Sequence, residues 1–123
     1  MSSNKTVERS GAFRPLTDSE RHLLSTLLNC EFPGNVSLRK QFSTVMGRQI
    51  DDNGSLELQT RGGPFAEVVR RIPVEAEIKD SDGVTIHILI HVIGGHLNEL
   101  EIYREDSQPV LHLETKKIQL IVL

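Results

Sequence analysis

The side chains of this chain best suited to proton transfer or ion binding are His87 and His91, together with Glu75, Glu77, Glu99, Glu101 and Tyr103. Each set recurs at even spacing, and even spacing on a β-strand brings side chains to one face. A histidine held between carboxylates has its protonated form favoured, which is one way to tune a general acid or base. The same residues also make ordinary cross-strand charge pairs on a solvated sheet. No nucleophile or oxyanion donor accompanies them in the sequence, so no catalytic residue is assigned. His87 and His91 stand four residues apart, about 13 Å by strand rise, too far to share one ion. No metal site and no cofactor are expected.

The remaining motifs have plainer explanations. Cys30 is the only cysteine and follows an apolar stripe, as a buried structural cysteine does. Asp51-Asp52-Asn53-Gly54 lacks the downstream glutamate of a calcium loop and reads as a hairpin turn. Gly62-Gly63-Pro64 is not followed by the Lys-Ser or Lys-Thr of a phosphate loop. Arg70 and Arg71 beside it read as solvated surface, with anion binding the alternative.

The elements that carry these residues follow from periodicity. Leu16-Thr17-Asp18-Ser19-Glu20 is a capping box with an apolar residue before the cap. The helix it opens runs to about Asn29 or Cys30, with Leu23, Leu24, Leu27 and Leu28 as its apolar stripe. A second helix, capped by Asn35 or Ser37, carries Leu38, Phe42, Val45 and Met46 and ends at Gly47. Beyond Gly47 the apolar period changes to two. Strands are expected over Arg48–Asp51, Ser55–Thr60, Val68–Asp80, Val84–Val92, Leu97–Arg104, Val110–Leu113 and Lys117–Leu123, some of them short. The fold expected is α+β: two N-terminal helices on one face of an antiparallel β-meander of about five to six strands. One domain over residues 1–123 is expected, with residues 1–12 flexible.

Register sharpens this. A tight Gly94-Gly95 turn continued without interruption sets Ile88 against Glu101 and mixes the faces. A shift of one residue restores agreement, with Ile90 facing Leu100, Ile88 facing Ile102 and His91 facing Glu99. His87 then faces Tyr103 or Glu101, and Ala76 lies near Ile86 or Ile88. A longer loop or a β-bulge is therefore expected near the two glycines. The result is an aliphatic face and a wet face carrying Glu75, Glu77, His87, His91, Glu99, Glu101 and Tyr103.

The formal net charge is −3, so bulk charge does not favour non-specific nucleic-acid binding, and scarce aromatic residues leave the core to Leu, Ile and Val. No apolar run reaches the roughly 20 residues of a membrane span. The first residues lack the layout of a signal peptide. The expectation is a cytoplasmic protein with no nucleic-acid or membrane partner.

Phe13-Arg14-Pro15-Leu16-Thr17 with Glu20, Arg71 to Glu77, Asp80 to Gly83 and, most specifically, Gly94 to Asp106 resemble a family of small uncharacterised bacterial proteins. That resemblance implies no activity and no catalytic residues. In size and build the chain is also similar to immunity proteins of bacterial toxin systems, including contact-dependent inhibition. Those proteins are inert as enzymes and often acidic, because many of their toxins are basic nucleases. The leading expectation is a non-catalytic protein that binds a basic toxin domain through Glu75, Glu77, His87, Glu99, Glu101 and Tyr103. The alternative is a small-ligand protein or enzyme using the His/Glu cluster. A homodimer through the apolar C-terminal strand is compatible with either.

Overall fold

The computed structural model describes residues 11–114 and 117–123. Most of the expected flexible segment, residues 1–10, lies outside the described residues. Two helices, α1 (Asp18–Leu28) and α2 (Asn35–Phe42), precede most of a seven-stranded antiparallel sheet. The strands are β1 (Arg14–Pro15), β2 (Met46–Gln49), β3 (Leu56–Gln59), β4 (Val74–Lys79), β5 (Thr85–Ile93), β6 (His96–Arg104) and β7 (Gln119–Val122). Their spatial order is β1-β2-β3-β6-β5-β4-β7. The sheet has seven strands where about five to six were expected: β1, a two-residue edge that periodicity cannot detect, is gained, and the expected segment Val110–Leu113 is lost. The order is not a simple meander either: β3 pairs with β6, so the chain crosses over before building β4, β5 and β6 in sequence.

α1 starts where its capping box directs. The Glu20 amide donates to Thr17 Oγ1 at 3.2 Å, and the Thr17 amide donates to Glu20 Oε1 at 2.8 Å. Each satisfies a backbone donor that the first helical turn leaves free. Arg14 Nη2 donates to Glu20 Oε2 at 3.0 Å, which ties β1 to the cap. α2 departs from expectation at both ends. Its cap is Gly34, at a φ of 93°, and not Asn35 or Ser37. The Asn35 side chain instead donates to the Cys30 carbonyl at 2.8 Å. The helix stops at Phe42, and Gly47 lies inside β2 opposite Arg14. Gly47 is needed for space: a Cβ there would meet Leu16 Cδ2 at 2.7 Å.

The core is aliphatic. Leu23, Leu24, Leu27, Leu28 and Leu38 of the helices form one buried cluster with sheet residues that include Ala76, Ile86, Ile88, Ile90, Leu100 and Ile102. α1 touches β4, and α2 touches β6.

Two expected strands shrink for identifiable reasons. Residues 68–73 do not join β4; the alternation of buried and part-buried side chains begins at Val74. Val110–Leu113 forms no strand because side chains take its amides. Val110 N–H donates to Asn53 Oδ1 at 3.0 Å, and Leu111 and His112 N–H donate to the two oxygens of Asp80 at 2.7 and 2.8 Å. Asp80 is buried and also accepts from Arg104 Nη1 at 3.0 Å. Burial alone pushes the Asp80 carboxyl up, but the amides of Leu111, His112 and Ser81 and the Arg104 guanidinium outweigh it. The group is held well below the usual carboxylate range. Arg104 also binds Asp82 and Asp106, and its guanidinium hydrogen bonds bring the Asp106 carboxyl down to about 2.

Candidate functional site

β4, β5 and β6 lie side by side and carry every residue of the expected surface. The β5–β6 register pairs Ile88 with Ile102, Ile90 with Leu100, His91 with Glu99 and His87 with Tyr103. Both expected alternatives at the glycines are thereby resolved. Gly94 and Gly95, at φ of 59° and 78°, form a two-residue turn, and the register shift is a bulge between His91 and Val92. On the other side of β5, Ala76 faces Ile88 and Glu77 faces His87. Glu75, Glu77, His87, His91, Glu99, Glu101 and Tyr103 therefore share one side of the sheet. Their neighbours Val74, Ala76, Ile78, Ile86, Ile88, Ile90, Leu100 and Ile102 are buried.

His87 is the most contacted of these side chains. Its Nδ1 lies 3.2 Å from Glu75 Oε2 and 3.8 Å from Glu77 Oε2, and its Nε2 lies 3.0 Å from Glu105 Oε1. The Tyr103 ring stacks on it, with centroids 4.9 Å apart and planes at 17°. Partial burial lowers the basicity of the imidazole. The hydrogen bonds to Glu105 and Glu75 and the charges of Glu77 and Glu75 outweigh that, so His87 holds its proton to higher pH than an ordinary histidine. Burial, then the charges of Glu75, Glu101, Glu105 and Glu77, push the Tyr103 hydroxyl up.

His91 has a different environment. Its Nδ1 accepts from Arg71 Nε at 3.1 Å, so the ring proton sits on Nε2, which donates to Glu101 Oε1 at 2.7 Å. Glu101 thus serves His91, and Tyr103 is the residue opposite His87.

Two participants were not foreseen. Glu105 lies one residue beyond β6, where the alternation stops, so strand periodicity gives it no face. Arg71 reaches His91 because its carbonyl accepts the Val92 amide at 2.7 Å, a contact across 21 residues. Cys30, expected to be buried, is only half-buried. Burial pushes the Cys30 thiol up, away from nucleophilic character. Asp51 Oδ1 is occupied by the amides of Asn53 and Ser55.

The largest of the clefts, about 490 Å³, is lined by Arg70, Arg71, Ile72 and Leu123, beside the Arg71–His91 contact and not at His87. Another, of about 410 Å³, is lined by Asp18, Glu20, His22, Leu23, Leu100 and Leu113 among others, close to the start of α1. A third, of about 290 Å³, is lined by Ile78, Lys79, Glu114 and Lys117. No helix among the described residues is long and apolar enough to cross a membrane.

These features define an α+β protein with an antiparallel sheet, one side of which carries paired histidines and glutamates. The chain belongs to the family described as Domain of unknown function (DUF6984), whose model matches residues 13–114. That span includes all the segments that carry the resemblance to an uncharacterised family. No curated protein and no solved structure matches the chain.

Proposed function

We propose that this chain is a non-catalytic binding protein that docks the glutamate-bearing side of its sheet onto a basic protein domain, in the manner of a toxin-system immunity protein. The observation that carries this reading is the register that places Glu75, Glu77, Glu99 and Glu101 on one side of three adjacent strands. Glu57, opposite Glu99 in the register, lies on that side of β3 too, where Arg48 ion-pairs with it at 2.9 Å. In this reading the two helices cover the opposite, aliphatic side, which leaves the acidic side free for a partner. Charge complementarity of this kind accelerates encounter and selects partners. A charged face spread over three strands suits a protein partner better than a small substrate, which is held in a concave pocket.

The test is calorimetric binding between the chain and the toxin-like product of a neighbouring gene. The expected result is affinity that falls by about tenfold or more between 0.1 M and 1 M salt, as the screening length shrinks from about 10 Å to about 3 Å. Glu75→Gln with Glu101→Gln should weaken binding in low salt. Absence of binding, or binding indifferent to both salt and these substitutions, rejects the proposal.

A further inference from the structure

The distance between His87 and His91 excludes an ion shared by both, but not an ion at one of them. The donor atoms of Glu75, Glu77 and His87 lie within 4.8 Å of one another, as do those of His91, Glu99 and Glu101. From these two clusters the structure assigns a first-row divalent cation site to the first: His87 Nδ1 with one carboxylate oxygen each from Glu75 and Glu77.

Three observations favour it. The first is spacing. Zinc ligands at about 2.0–2.1 Å in a tetrahedron stand about 3.3 Å apart. His87 Nδ1 lies 3.2 Å from Glu75 Oε2 and 3.8 Å from Glu77 Oε2, so small side-chain adjustments suffice. The second is support of the ring. Glu105 at 3.0 Å holds the far nitrogen, and Tyr103 stacks on the ring face. A carboxylate on the second imidazole nitrogen is the usual outer partner of a metal-bound histidine, because it fixes the ring and raises its donor strength. The third is charge. Among the described residues no lysine or arginine pairs with Glu75, Glu77 or Glu105, so His87 alone faces three carboxylates, and a cation on Nδ1 would take the place of its proton there. The side chains of His87 and Glu75 are only 13% and 18% exposed, which limits the water that screens this charge.

The His91 cluster fails the same comparison. Arg71 donates to His91 Nδ1 at 3.1 Å and sets a fixed positive charge beside any cation there. One nitrogen with two carboxylate oxygens selects borderline cations such as Zn²⁺, Co²⁺ or Mn²⁺ over purely oxygen-seeking Ca²⁺ and Mg²⁺.

The test uses the full chain stripped of metal, titrated with ZnCl₂ by calorimetry and with CoCl₂ by visible absorption. The expected result is saturable binding of about one equivalent, and weak Co²⁺ bands with no thiolate charge-transfer band. His87→Gln and the double change Glu75→Gln/Glu77→Gln should abolish it. Glu105→Gln should weaken it by about 10–100-fold, while His91→Gln should leave it unchanged. A thermal melt of each variant without metal shows whether it folds. If His87→Gln does not fold, Glu77→Gln takes its place, its side chain being the most exposed of the three at 33%. Loss of the Zn²⁺-induced rise in Tm in that variant then supports the site. Failure of the intact chain to bind one equivalent overturns the proposal. So does binding that survives the glutamate substitutions, or that is lost with His91→Gln. None of these outcomes depends on a protein partner.

Discussion

Replacing Gln41 with leucine tests whether one buried amide joins three parts of the fold. Gln41 is fully buried in α2. Its Nε2 donates to the carbonyls of Pro64 and Gly95, both at 2.8 Å, and its Oε1 accepts from the Leu97 amide at 3.0 Å. Leucine nearly conserves the volume and removes all three bonds. The consequences differ by partner. Pro64 is exposed, so its carbonyl can turn to water. The Gly95 carbonyl keeps the Ala66 amide at 2.9 Å. The Leu97 amide belongs to a residue only 2% exposed and loses its acceptor outright. An orphaned buried donor costs about 1–3 kcal/mol, and each bond lost beside it about 1 kcal/mol. The added apolar surface of leucine offsets part of this, so the expected destabilisation is about 2–3 kcal/mol. Urea unfolding reads it as a fall in midpoint of about 1 M or more at an ordinary slope. Gln41→Glu supplies a second arm: one carboxylate oxygen can still accept from the Leu97 amide, but the other faces two carbonyls. This variant should be the less stable of the two at neutral pH and should recover relative to Gln41→Leu on acidification. Hydrogen exchange at the Leu97 amide should quicken in Gln41→Leu. A Gln41→Leu protein within about 0.5 kcal/mol of the parent would refute the claim that this amide holds the β5–β6 turn to α2, since a lost buried bond costs more than that.

The Asp80–Arg104–Asp106 cluster predicts the acid limb of stability. Both carboxyls titrate lower in the folded chain than in the unfolded one, where aspartate titrates near 3.9. Their stabilisation is therefore complete above about pH 4 and is lost as pH falls through the folded values, from about 4 to 2 and below. Melting temperatures across that range should fall steeply, and Asp80→Asn should flatten the fall while lowering Tm at pH 7; an unchanged acid slope in Asp80→Asn contradicts the assignment. Gly47→Val should destabilise by about 1–3 kcal/mol through overpacking against Leu16. Combining it with Leu16→Ala should cost less than the sum of the two singles in urea unfolding, and strict additivity would show that they do not touch. Thr17→Ala, which removes half of the α1 capping box, should cost about 1 kcal/mol by the same assay, and a neutral result would show that the cap is redundant.

The parts of this fold legible in sequence are those decided by near neighbours. The capping box joins Thr17 to Glu20, three residues on, and both of its hydrogen bonds are present. The β5–β6 register was legible because a slip of one residue would bury Glu99 and Glu101, and few pairings avoid that. Gly47 shows the limit. Glycine after an apolar stripe is the usual mark of a helix end. Here the helix ends at Phe42, and the glycine is required by Leu16, a residue 31 positions earlier. Strand order failed for a similar reason: nothing within β3 says that its neighbour is β6 and not β4.

The polar residues divide the same way. The histidine–glutamate side of the sheet follows from alternation, so the expected surface residues fall together. The residues missed at that site, Glu105 and Arg71, lie just outside strands, where no period assigns a face. The buried polar residues missed elsewhere share one property. Gln41 bonds to Leu97 across 56 residues, Ser55 to Ile102 across 47, and Asp80 to Leu111 across 31. Each satisfies a backbone group that a sheet ladder leaves open, at a bulge, a strand end or an irregular segment. A hydrophobic residue declares its burial by type, because transfer from water favours it anywhere in the core. A buried glutamine or aspartate is favoured only where a particular partner awaits it, and that partner exists only after the chain has folded. Periodicity therefore recovers the two faces of the central strands, while the ties between distant segments are set only by the folded chain.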